Sequence, residues 1–451
     1  MKDFSLLIDF YMNKSLENKD IFYNYVGDSS CLLFNRVSII TMFMLILGCI
    51  NPFLTLVSLC YLGYLLYLIY CKFIKRRSFN KQVKFVNQKL VSLVETNGFV
   101  DKKTIEGVTH IIYYPKIWFS IINESDITIT FKLDGSRYQD KYLDLEDKLY
   151  HLFSFRVKDV IVERGFVIYK LTSQELRPYI LNSSCEGKRL KCAGEDFIKF
   201  NDDLVWNFRS NPHALLTGIT GGGKTYVLYY IIRNLLSYGA DVKIIDPKIS
   251  DLDFTKKYLS ENNVVNSVGN AIRLLRECSK IINNRNLTFQ NREDYKSGAD
   301  YQHYGYNPIF IIFDEVTSFF ASCDDKQKKE ANSYLQQIIL CGRSAGVQLV
   351  ISTQRADARV ISGDIRDQLG LRLSLGQLSA DGYVMTFGNE YRDLKHTMTS
   401  LVKPGTYSGV GFAQIPGRTN KPMEFYSPIF DNTYSFADDI EKLVGVDINQ
   451  M

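Results

Sequence analysis

The chain has 451 residues, 46% of them hydrophobic and 23% charged, a composition that excludes a wholly disordered protein. That length allows two or three domains of about 100–200 residues each. A net charge of +5 permits a polyanionic partner without demanding one, and the 9 cysteines show no C-x-x-C pairing, so no zinc or disulfide framework is indicated.

Residues 1–32 are polar and mixed, and read as an N-terminal cytoplasmic segment without a cleavable signal peptide. No charged residue lies between Arg36 and Lys72. A membrane helix needs about 20 apolar residues. This stretch is too long for one comfortable span and fits two short ones turning at Asn51-Pro52. The expectation is a two-helix transmembrane hairpin over 33–71. Lys72, Lys75, Arg76 and Arg77 then hold the rest of the chain in the cytoplasm, giving a multi-pass protein of a bacterial cell membrane.

Residues 72–200 read as a small α+β linker domain. Gln82 to Val94 suits a helix, while Ile111 to Ile122 and Ile127 to Leu133 suit strands, the latter alternating Ile127, Ile129, Phe131, Leu133. Tyr142, Leu145, Leu149 and Leu152 repeat at helical spacing, and Val157 to Leu171 reads as a hairpin turning at Arg164-Gly165. No catalytic constellation falls here.

From 201 to 430 strands and helices alternate as a parallel α/β sheet requires, and 431–451 reads as a tail. Within it stands Gly218-Ile219-Thr220-Gly221-Gly222-Gly223-Lys224-Thr225, which fits G-x-x-x-x-G-K-[ST]. Backbone N–H groups can converge on a phosphate only where side chains are absent, hence the glycines. Lys224 supplies charge to the β- and γ-phosphates, and the Thr225 hydroxyl can ligate Mg²⁺. An apolar strand, His213 to Thr217, precedes the loop. A helical pattern through Val227, Leu228, Ile231, Ile232, Leu235 and Leu236 comes after it, until Gly239. The cofactors expected are ATP and Mg²⁺.

Val242 to Ile245 form a strand ending at Asp246-Pro247-Lys248; a polar helix comes next over 264–290, and 291–307 reads as an exposed loop. Ile309 to Phe313 are apolar and end in Asp314-Glu315. Asp314 would hold the Mg²⁺ shell opposite Thr225, and Glu315 would take a proton from the attacking water. A further strand, Val347 to Thr353, ends at Gln354, whose amide can sense γ-phosphate or position water. Arg343, Arg355, Arg366 and Arg372 are candidates for completing a neighbouring subunit's site. Lys326, Lys328, Lys329 and the Arg359 to Arg366 loop are candidates for contacts to the phosphates of a polyanionic partner.

Together HALLTGITGGGKT (213–225), IDPK (245–248), IIFDE (311–315), GRSAGVQLVISTQR (342–355) and VISGDIRDQLGLR (360–372) resemble the FtsK/SpoIIIE-type DNA translocases. The resemblance implies a RecA-like motor that assembles as a homo-hexamer around single- or double-stranded DNA. It carries Lys224, Thr225, Asp314, Glu315 and Gln354 over as nucleotide-site residues. A single small motor behind a membrane hairpin, without a sequence-reading module, is most similar to the conjugative coupling proteins of Gram-positive mobile elements, whose partners are a relaxase and secretion-channel proteins. Chromosome segregation and protein export are the alternative roles.

Overall fold

The computed structural model describes residues 21–23, 52–105, 108–123, 125–188, 196–249, 252–260, 262–354, 363–403, 405–406, 408–419 and 421–448. The chain divides into two compact units, Met1–Glu175 and Leu176–Met451.

In the first unit one helix runs from Pro52 to Thr96. The expected second membrane span was to end at 71, yet the helix continues through Lys72, Lys75, Arg76 and Arg77. Among the described residues no helix is long and apolar enough to cross a membrane. This overturns the expected multi-pass membrane placement. Physically, the far end of this helix belongs to a protein core: Val86, Leu90, Leu93 and Val94 are buried with Phe99 against a sheet. The other expected span, 33–50, lies outside the described residues.

That sheet has the order Ile21–Tyr23, Ile117–Ile121, Asp126–Lys132, Phe166–Thr172, Arg156–Glu163. Period-two patterning buries Ile127, Ile129 and Phe131 on one face. Arg164 (φ 50°) and Gly165 (φ 81°) turn its hairpin in the left-handed region that tight two-residue turns demand. The expected strand 111–122 is split. At Tyr114-Pro115-Lys116 the ladder stops, since proline lacks a donor, and Val108–Tyr113 pairs instead with Asp101–Ile105. Helix Glu146–Phe153 buries Leu149 and Phe153.

The second unit is α/β. Its main strands are β1 (Ala214–Gly218), β2 (Asp241–Ile245), β3 (Val264–Val265), β4 (Ile309–Phe313), β5 (Val347–Thr353), β6 (Leu371–Leu375), β7 (Val410–Gln414) and β8 (Met423–Tyr426). They make one sheet of order β3-β2-β4-β5-β1-β6-β7-β8. Pairs from β3 to β6 are parallel, and β7 and β8 extend the sheet antiparallel. Strands β1, β4, β5 and β6 are buried along their whole length, as a sheet covered on both faces requires. The helices are α1 (Lys224–Tyr238), α2 (Val268–Gln290), α3 (Val316–Ser322), α4 (Asp325–Ala345), α5 (Ala380–Phe387) and α6 (Phe436–Ile448).

Two boundaries differ from expectation. The unit begins at Leu176 rather than 201. The segment read as a C-terminal tail carries α6, which packs on α1: Arg233 and Asp439 are both fully buried and paired at 2.7 Å. The loop 291–307 is not wholly exposed either, because Tyr301 and Tyr304 are buried on Phe289. Gly346 (φ 71°) makes room there, since a Cβ would meet the Tyr301 ring at 2.4 Å.

Candidate nucleotide site

The glycine loop leaves the C-terminal end of β1 and delivers Lys224 as the first residue of α1. Gly221 (φ 74°) and Gly223 (φ 105°) occupy the left-handed region. Gly218 and Gly222 are glycine for lack of space, since a Cβ on either would lie 2.9 Å from the Leu375 carbonyl oxygen. The loop is braced from β6 and from the turn before β7. Ile219 N donates to Leu375 O at 3.3 Å, Gly409 N donates to Gly222 O at 2.9 Å, and Ser408 Oγ donates to Gly221 O at 2.8 Å. Ile219, Thr220 and Gly221 are exposed, and Thr225 is half-buried in the first turn of α1.

Strand order decides what faces the loop. β5 lies between β1 and β4, so its tip, Thr353-Gln354, stands between the glycine loop and Asp314-Glu315. Glu315 adopts φ 45° where β4 turns into α3. Its Oε1 accepts from Thr317 Oγ1 at 2.7 Å, Gln354 N at 3.2 Å and Thr353 Oγ1 at 3.3 Å. Its Oε2 lies 3.5 Å from both Lys224 Nζ and Lys248 Nζ. Asp314 Oδ1 accepts from Glu315 N at 3.0 Å. Lys248 comes from the end of β2, where the wholly buried Asp246 accepts its backbone N–H at 3.2 Å.

The charges bias one another. Burial favours protonated Glu315, but the Thr317 hydroxyl, the Lys224 ammonium and the Gln354 N–H outweigh it and hold the pKa below the ordinary Glu value. Asp314 goes the other way: burial raises its pKa, with Asp246 and Glu315 adding like charge against Ser352 and Lys224. Burial lowers the Lys224 pKa, opposed by the two carboxylates. A carboxylate pushed upward by burial, with two others adding to it, is a setting that a divalent cation relieves. The oxygens of Asp314 and Thr225 suit Mg²⁺, which keeps few protein ligands and shares its shell with phosphates. Among the described residues no group of three His, Cys, Asp or Glu could hold a metal by itself, so the rest of such a shell would be water or phosphate oxygen.

The structure therefore brings Lys224, Thr225, Asp314, Glu315 and the backbone of Gln354 to one edge of the sheet; the Gln354 side chain is exposed there. It separates Arg343 and Arg372 from them. α4 runs back along β5, so Arg343 ends beside the start of that strand, at the opposite edge. Arg372, near the start of β6, is 6% exposed and donates to Phe387 O at 3.4 Å and Asp367 Oδ1 at 3.3 Å. Arg366 pairs with Asp367 at 3.1 Å. Arg355 lies outside the described residues. Sequence reading missed Lys248 as a site group, although the IDPK motif marked it, and missed Ser408 and Gly409, for which no local pattern exists.

No protein-family model matches the chain. The FtsK domain-containing protein YdcQ of Bacillus subtilis (strain 168) is 32% identical over 374 residues, covering 80% of this chain and 74% of that one. The DNA translocase FtsK of Caldanaerobacter subterraneus is 25% identical over 243 residues, 49% of this chain and 33% of that protein. The chain thus spans about a third of the length of that translocase. Among solved structures, the pCW3 conjugation coupling protein TcpA in its monomer form with ATPγS is 18% identical at a TM-score of 0.49, covering 74% of this chain and 94% of that one. The cytoplasmic domain of the Thermomonospora curvata type VII secretion ATPase EccC is 16% identical at a TM-score of 0.43, over 59% of this chain and 31% of that one.

Proposed function

The chain belongs to the FtsK-domain protein family, and on that premise we propose that it is an ATP-driven DNA translocase serving conjugative DNA transfer. One observation carries the motor part: Lys224 and Glu315 lie 3.5 Å apart between a glycine loop and the adjoining strand tips. In this reading the loop N–H groups and Lys224 bind the phosphates, and Thr225 and Asp314 hold Mg²⁺. The metal, when bound, neutralises charge developing on the transferred phosphoryl oxygens. Glu315, kept ionised by Thr317 and Lys224, receives the proton of the attacking water. The Gln354 amide, at the tip between them, orients that water.

Arg343 and Arg372 sit at the edge away from the loop, so neither serves its own chain's phosphates. That supports a ring, with homo-hexamer the expected form, in which one of them reaches a neighbour's nucleotide. Arg372 would first have to leave Asp367 and the Phe387 carbonyl. Lys326 and Lys329 are exposed on the first two turns of α4, at the nucleotide edge, and are candidates for DNA phosphate.

The test is DNA-stimulated ATP hydrolysis by the whole chain, single- and double-stranded DNA in separate arms, lost in Lys224→Ala. An ATPase indifferent to both forms sinks the translocase reading. Cargo is decided in cells: deletion should lower transfer of a mobile element, with a relaxase and channel proteins recovered as partners. A segregation defect in cells lacking any mobile element, or capture of an exported protein without DNA, would favour the alternatives.

A further inference from the structure

A nucleotide whose phosphates lie on the glycine loop brings its sugar and base within reach of the surface that adjoins the first turn of α1. That surface is aromatic. Tyr226, two residues after Lys224, is 53% exposed, while the face of α1 that builds the core is carried by Val227, Leu228, Ile231 and Leu235. Tyr226 is therefore not part of that core-building face. Its ring nevertheless has a fixed neighbour: Phe430, at 5.4 Å between centroids and 33° between planes.

Phe430 is tied to the glycine loop by backbone. Gly409 N donates to Gly222 O at 2.9 Å, Ser427 N donates to Gly409 O at 2.8 Å, and the chain runs on from Ser427 to Phe430. Behind it Tyr229 meets Phe430 edge-on at 6.4 Å and stacks on Phe436 at 3.9 Å. A half-exposed ring is thus packed against other rings within the first turn of α1, beside the phosphate loop. Large exposed aromatics with a fixed backing are surfaces for stacking, and every nucleobase presents a π-face.

Resting on the nucleotide reading above, we propose that Tyr226, backed by Phe430, is the platform on which the base of the bound nucleotide stacks, and that the site consequently favours purine over pyrimidine nucleotides. The larger ring system covers more of the platform. Stacking asks only for a flat partner, so Phe can replace Tyr at 226.

Calorimetry on the full chain with ADP, UDP and inorganic tripolyphosphate separates base from phosphate. Tyr226→Ala should weaken ADP about tenfold, the scale of one base–aromatic stack, and narrow the ADP-over-UDP preference. It should leave tripolyphosphate unchanged, and Tyr226→Phe should match the parent. The inference is overturned if Tyr226→Ala binds ADP as tightly as the parent, or loses tripolyphosphate in step with ADP. Equal affinity of the unaltered chain for ADP and UDP also overturns it, whatever the variants do. If the unaltered chain binds neither ADP nor tripolyphosphate, the nucleotide reading itself falls, and this inference with it.

Discussion

Arg233 on the helix that carries the phosphate loop and Asp439 near the C-terminus form an ion pair with no solvent exposure on either side chain. Arg233 Nε donates to Asp439 Oδ2 at 2.7 Å, and its Nη2 donates to the carbonyls of Cys185 and Lys188 at 2.5 and 2.9 Å. Asp439 also accepts Gly187 N at 2.6 Å and Tyr434 OH at 2.5 Å. The network joins α1, α6 and the first residues of the unit.

Breaking a buried pair by removing one partner leaves an uncompensated charge, at a cost of about 3–5 kcal/mol. Asp439→Asn should therefore lower the unfolding free energy of the second unit by that amount. Arg233→Met with Asp439→Leu should recover much of it. Urea denaturation measures both, and an Asp439→Asn variant as stable as the parent would show that α6 is held by its apolar face alone.

Glu315→Gln keeps the size of the side chain and its contacts with Thr317 and Gln354 N, and removes the charge. Nucleotide affinity should change little, while hydrolysis falls about 10²–10⁴-fold, the usual worth of a general base. Lys224→Ala should lose binding as well. Calorimetric ADP titration beside a steady-state ATPase assay distinguishes the two; equal loss of binding in both variants argues against the assignment of Glu315.

Gly222→Ala tests the loop's shape. The new methyl would sit 2.9 Å from Leu375 O and 3.0 Å from Ile219 O, both backbone, so the loop has to move. ATP affinity should fall at least about tenfold, or about 1.4 kcal/mol. Ser408→Ala removes one hydrogen bond to the Gly221 carbonyl, of about 1 kcal/mol, and should cost about fivefold. The ratio of the two effects is the diagnostic, and a larger loss in Ser408→Ala would contradict it.

His213 gives the second unit a pH dependence. It is fully buried, its Nδ1 accepts from Leu349 N at 3.1 Å, and its Nε2 must then donate to Ile339 O, also at 3.1 Å. Burial pushes its pKa down to about 4 from 6.5. The unfolded chain thus binds the proton first as pH falls. Stability should be intact above about pH 6.5 and be lost progressively down to about pH 4, by up to about 3 kcal/mol. His213→Asn, which tolerates the left-handed backbone (φ 60°) and cannot titrate, should start less stable but show a flatter profile across that window. Parallel profiles in the two proteins would place the acid sensitivity elsewhere.

Much of the second unit is legible in sequence, because its elements announce themselves locally. Gly239 ends α1 in a left-handed cap, and five apolar residues before Asp314-Glu315 are a strand buried on both faces. The hairpin turn at Arg164-Gly165 and the alternation over Ile127–Phe131 are equally local. The N-terminal reading went astray for the same reason. An uncharged run has the composition of membrane helices, and only the continuation of one helix to Thr96, with Leu90 and Leu93 in a protein core, shows what that run is joined to.

By itself the sequence determined the candidates for a nucleotide site: the glycines, Lys224, Thr225, Asp314 and Glu315, which local motifs a few residues long single out. Only the tertiary structure decided what surrounds them. Placing β5 between β1 and β4 gives Glu315 its hydrogen bonds from Thr353 and Gln354, and placing β2 on the other side of β4 brings Lys248 to the same carboxylate. The same packing sends Arg343 and Arg372 to the far edge and sets Ser408, Gly409 and Asp439 against the loop and its helix. These are contacts between residues tens to hundreds of positions apart, made by burial and strand order, and no local periodicity encodes them. They set the glycine loop in one neighbourhood with Lys248, Asp314, Glu315 and the tip of β5.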